Sequence, residues 1–182
     1  MGLNFISKTE ITGSSVVNTQ IDLPVTTGHH EVHFQDFHAL GSGGILDITM
    51  RKTSDNSLNQ TAEAYGVYYF QPHTSGSGSF TDFGNKASQT MFRLTDGMGV
   101  KPNTSIDAIV RFFNVSESTR TMVTYNVTNS VESGHVYGYQ GGAYCPDESS
   151  NGFNINTNQT AGMRGTVIVY EVLSWVIFLK MQ

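Results

Sequence analysis

The segment His29-His30-Glu31-Val32-His33, with His38 a little further on, holds the densest set of side chains able to bind a metal or move a proton. A zinc hydrolase of the His-Glu-X-X-His type places two histidines one helical turn apart, with a glutamate directly after the first serving as general base. Here His30 occupies the glutamate's position, and Val32 and Phe34 alternate with His33 and Gln35 in a strand pattern. On a strand, His29 and His33 stand ~13 Å apart, beyond the reach of one ion. The histidines are therefore read as surface groups near a strand start, and no metal is assigned. Only copies of the chain meeting on a threefold axis would turn them into a ligand set.

Other reactive side chains lack the company their chemistry needs. Cys145, in Ala143-Tyr144-Cys145-Pro146-Asp147, is the only cysteine, and His135 lies ten residues upstream. A catalytic thiol requires a base and oxyanion donors, and nothing local supplies both. The carboxylates of Asp22, Asp36, Asp47, Asp147 and Glu148 would need a separation of ~5 to 10 Å across a sugar to act as a glycosidase pair, which sequence adjacency does not provide. Gly76-Ser77-Gly78 is not a nucleophile elbow, and Gly97-Met98-Gly99 lacks the later glycine and following helix of a phosphate cradle. No catalytic residue and no cofactor is assigned, and the expectation is a protein that is not an enzyme.

A binding role fits two stretches. Val136-Tyr137-Gly138-Tyr139-Gln140-Gly141-Gly142-Ala143-Tyr144 sets Tyr137, Tyr139 and Tyr144 among glycines, a composition suited to a subunit interface, a crowded core or a sugar-stacking platform. At the carboxy terminus, Trp175, Ile177 and Phe178 belong to an apolar run expected to pack on the domain or on a neighbouring subunit.

These residues must be carried by strands. Leu46, Ile48 and Met50 alternate with Asp47, Thr49 and Arg51; Ile106, Ala108, Val110 and Phe112 alternate with polar residues, as do Val123, Tyr125 and Val127. A period of two describes strands with one buried face. Phe37 falls one residue out of step with Val32 and Phe34, which predicts a bulge near Gln35-Asp36. Shorter strands are predicted around Val67 and Tyr69, Phe92 and Leu94, and Phe153 and Ile155. Gly165 to Val172 is apolar on both faces, as a central strand requires. Gly41 to Gly44, Ser75 to Ser79, Asp96 to Gly99 and Gly141-Gly142 read as turns. Ser57 to Tyr65 is the one place where a turn or two of helix fits. The expectation is a single antiparallel β-sandwich, jelly-roll-like, of about eight or nine strands over residues 1–173, with 174–182 as an apolar extension.

The 182 residues suit one core, and charged residues make up only 14% of them, with a formal net charge of −5. Ten scattered Lys and Arg cannot neutralise a row of phosphates, so nucleic acid is not an expected partner. The amino terminus has no basic, apolar signal, and the apolar run Val167 to Leu179 is too short to span a bilayer and contains Glu171.

Phe153-Asn154-Ile155-Asn156 followed by Gly165-Thr166-Val167-Ile168-Val169-Tyr170-Glu171-Val172-Leu173 resembles the closing strands of small jelly-roll virion proteins of tailed bacteriophages. His30 to Phe37, Ile45 to Met50 and Ala108 to Asn114 are similar to the same family. Glu171 stands where those proteins usually carry glycine, and the extension Ser174 to Gln182 is atypical. The resemblance implies a virion protein made in the host cytoplasm. It would assemble as a homo-oligomer, often a trimer, and dock on proteins such as the major capsid protein. Head decoration or cement is expected ahead of a tail-fibre module that recognises host glycans, because the chain has no heptad shaft and no separate anchoring domain.

Overall fold

Two-residue alternation becomes, among the described residues, twelve strands in the computed structural model: β1 (Gly2–Ile11), β2 (Asn18–Asp22), β3 (His30–Ala39), β4 (Leu46–Lys52), β5 (Tyr65–Ser75), β6 (Gly78–Gln89), β7 (Phe92–Arg93), β8 (Ile106–Phe113), β9 (Arg120–Ser130), β10 (Val136–Pro146), β11 (Ser150–Thr157) and β12 (Met163–Leu173). The structure describes residues 2–13, 15–24, 28–40, 46–60, 65–75, 78–89, 91–94, 105–118, 120–130, 136–146 and 148–173. Of these, 65–75, 78–89, 120, 129–130, 136–139 and 144–146 are described by backbone alone. Among the described residues there is no helix: Leu58 bridges to Arg51, and Tyr65 already begins β5.

The strands form two antiparallel sheets, β1-β12-β3-β8-β9-β10-β5-β6 and β2-β11-β4-β7. The pairs β1 with β12, β2 with β11, β3 with β8 and β4 with β7 are what results when one long double ribbon is rolled up, so that successive turns fall in alternate sheets. This is the eight-strand jelly roll. The strands beyond those expected are β1, β2, β6 and β10, and the antiparallel pairs β5 with β6 and β9 with β10 lengthen the first sheet beyond β8. β10 is hard to see in the sequence because Gly141-Gly142 reads as a turn. Position 141 instead pairs with Tyr125 on one side and Tyr69 on the other.

The core lies between the sheets, on the faces that the alternation marks. Ile48 and Met50 of β4, Ile106, Val110 and Phe112 of β8, and Val123, Tyr125 and Val127 of β9 are all buried. Phe153 of the smaller sheet stacks on Phe112 at 5.0 Å and meets Phe34 at 6.4 Å, and Phe92 stacks on Tyr125 at 6.0 Å, so aromatic rings tie one sheet to the other. β12 runs between β1 and β3, the interior place its two apolar faces call for.

The predicted bulge is present. The β3–β8 register slips between Phe34 and Phe37, and Asp36 takes the left-handed conformation with φ of 48°. Across from it, Gly165 (φ +148°) lies against Phe37 so closely that a Cβ would sit 2.6 Å from the ring and 2.8 Å from the Phe37 Cα.

Candidate functional site

The outer face of the larger sheet carries the most organised set of polar side chains. Because residues alternate along each strand, Val32 and Phe34 enter the core while Glu31 and His33 face outward. Register then lines up two rows across the strands. One runs Tyr170, Glu31, Arg111, Thr124, and the next runs Ile168, His33, Ile109, Asn126, Gln140. Glu31 is the hub: its Oε1 lies 2.7 Å from His33 Nε2, and its Oε2 accepts a hydrogen bond from Arg111 Nε at 2.7 Å. The His33 ring is tilted against Tyr170 at 5.0 Å, and Tyr170 meets Phe5 edge-on at 6.2 Å.

Burial pushes the Glu31 carboxyl up, but hydrogen bonds from His33 and Arg111, with the Arg111 charge, outweigh it and hold the group below its ordinary pKa. An ionised carboxylate only accepts, so the contact requires a proton on Nε2 of His33. A carboxylate-oriented imidazole of this kind can relay a proton. Among the described residues, however, Glu31 is the only side chain hydrogen-bonded to His33, so no hydroxyl nucleophile is coupled to it.

The histidines named from sequence separate. His30 is fully buried on the inner face, opposite Glu171 and Phe112, whereas His33 faces out. His29 precedes β3 and packs edge-on against Phe113 at 5.8 Å. The expectation of surface histidines thus fails for His30, which falls on the inward side of β3 in step with the buried Val32 and Phe34. His38 is also buried, with Nε2 2.8 Å from Asp36 Oδ1. Among the described residues no three His, Cys, Asp or Glu side chains converge as a metal site.

The carboxylates are engaged with cations or hydroxyls. Asp22 pairs with the buried Arg51, Asp47 accepts from Arg93 Nε at 3.1 Å, and Glu148 meets Ser54 and, at 3.5 Å, Lys52. Tyr137, Tyr139 and Tyr144 belong to β10. Their backbones pair with Asn129, Val127 and Met122, so register puts positions 137 and 139 on one face of the sheet and 144 on the other. Their side chains, and that of Cys145, lie outside the described residues, as do Asp147 and all of Trp175, Ile177 and Phe178.

Sequence reasoning missed the Glu31–Arg111 pair and a second one, Asp22–Arg51. In the latter, Arg51, Gly152 and Asp22 occupy one cross-strand row, and the guanidinium passes over Gly152 to reach β2. A Cβ at 152 would lie 2.3 Å from Arg51 Nη2. Only strand register joins these residues, and no local pattern announces it.

No family model and no curated protein sequence matches the chain. The functional reading consequently rests on the chain's own surface and topology.

Proposed function

We propose that this protein is a non-enzymatic structural component of a tailed-phage particle, docking on the particle surface as a homo-oligomer, with a trimer as the expected form. The observation that carries the reading is the exposed apolar pair Leu3 and Phe5 on the edge strand of the larger sheet. Leu3 and Phe5 of the edge strand β1 are 45% and 58% exposed, and Leu173 at the end of β12 is 44% exposed opposite Gly2. Leu3 and Phe5 stand two apart on one face of a strand that, among the described residues, is paired on one side only, and such side chains are costly in water and are relieved by contact with a second surface. Residues 174–182, which include Trp175, Ile177 and Phe178, follow Leu173 directly in the chain.

Two further facts support this role. The jelly-roll topology agrees with what the phage-protein resemblance implies, and the scarcity of charged residues leaves faces that can approach a neighbouring shell with little desolvation of ions. Head decoration, with the major capsid protein as partner, is the preferred form of this role. Imaging intact particles labelled on this chain tests the reading. Regular labelling of the head surface is the expected result, and particles that lack the chain altogether would overturn it.

A further inference from the structure

We infer that the depression between β3, β8 and β9 on the outer face of the larger sheet is a weak binding site for an uncharged sugar. The depression encloses about 290 Å³, and the side chains that matter there are His33, Gln35, Asp107, Ile109, Asn126 and Thr128. Ile109 forms an apolar floor, 37% exposed, and around it stand a carboxylate, two amides and a hydroxyl. A hexose has this complementary make-up: a C–H face to lay on Ile109, and hydroxyls that both donate and accept toward Asn126, Thr128 and Gln35. Asp107 is already fixed, its Oδ1 accepting from the Asp36 backbone N–H at 3.0 Å, which orients it as a ready acceptor at the rim.

Other ligand classes fit less well. The lining contains no Lys or Arg, so a phosphate or carboxylate would meet Asp107 without a counter-charge. An extended peptide would need a free strand edge, but β8 is hydrogen-bonded to β3 on one side and β9 on the other. The side chains stand on paired strands, so the site is held in place before any ligand arrives. This site is separate from the three tyrosines of β10 and does not depend on where the chain is mounted.

Saturation-transfer NMR on the full chain tests the inference, with methyl glucoside and methyl galactoside as neutral probes and a methyl sialoside as the charged control. Transfer to at least one neutral glycoside is expected. The Asn126→Ala/Thr128→Val variant, checked for fold by circular dichroism, should weaken binding about tenfold through loss of two hydrogen bonds. Should that pair disturb β9, Gln35→Ala at the exposed bulge provides a second variant with the same expected direction. Absence of transfer to either neutral probe, transfer unchanged in the variants, or preference for the sialoside would each overturn the inference.

Discussion

At the scale of single residues, the fold depends on a few positions where chemistry and geometry leave little choice. Gly165→Ala would drive a methyl group into Phe37 at the bulge, and overpacking of this kind should cost about 2 to 3 kcal/mol, measurable by denaturant unfolding. Asp22→Ala would leave the buried Arg51 guanidinium with Asn56 and the Ile21 carbonyl alone. Because Asp22 itself is mostly exposed, a loss of about 1 to 2 kcal/mol is expected rather than the larger figure of a fully buried pair. His30 gives the chain a sensitivity to acid. Burial lowers its pKa, and the nearby His29 adds to that; the Glu171 carboxylate, and the Pro24 carbonyl from outside good hydrogen-bonding geometry, oppose it without prevailing. The folded state therefore keeps His30 neutral while the unfolded chain protonates it near 6.5. Its contribution to stability is complete above that pH and is lost as pH falls through the lower folded value. Unfolding midpoints should decline below pH 6.5, and His30→Asn should flatten that part of the profile; an unchanged profile would contradict the assignment. Glu31, also held low, acts in a separate window that opens only below its ordinary 4.5.

At the scale of elements, legibility followed burial. β4, β8, β9 and β12 were readable because each buries a regular apolar face, and the bulge in β3 was readable because Phe37 breaks that regularity. β1, β2 and β6 were not, since the sequences GLNFISKTEI, NTQID and GSFTDFGNKASQ offer no steady alternation. One face was misread: Thr49 and Arg51 of β4 point away from the core yet are buried. The chain after β4 turns back over them, with Lys52 N–H bonded to the Ser57 carbonyl and Asn59 N–H to that of Met50. The polar pairs centred on Glu31 and Arg51 were invisible for a different reason, as their members lie on separate strands and meet only through register. The edge strand β1 carries its own protection at one end, where Lys8 and Glu10 form an exposed pair at 2.6 Å. Replacing both by Val should leave the fold intact and increase light scattering on storage, as an unguarded edge recruits other chains.

At the scale of the whole molecule, a rolled jelly roll with a sheet widened to eight strands presents one broad outer face and one apolar edge. The face carries the Glu31 network and the proposed sugar site, while the edge at Leu3 and Phe5 is where copies should meet. The two adjoin, because Phe5 meets Tyr170 and Tyr170 meets His33, which lines the depression. Sedimentation velocity of the full chain, across a range of concentrations and beside a Phe5→Asp variant, is the most direct test of self-association. A single species at the mass of a homo-oligomer, shifted toward monomer by Phe5→Asp, is the result expected. A wild-type chain that stays strictly monomeric at every concentration would contradict it.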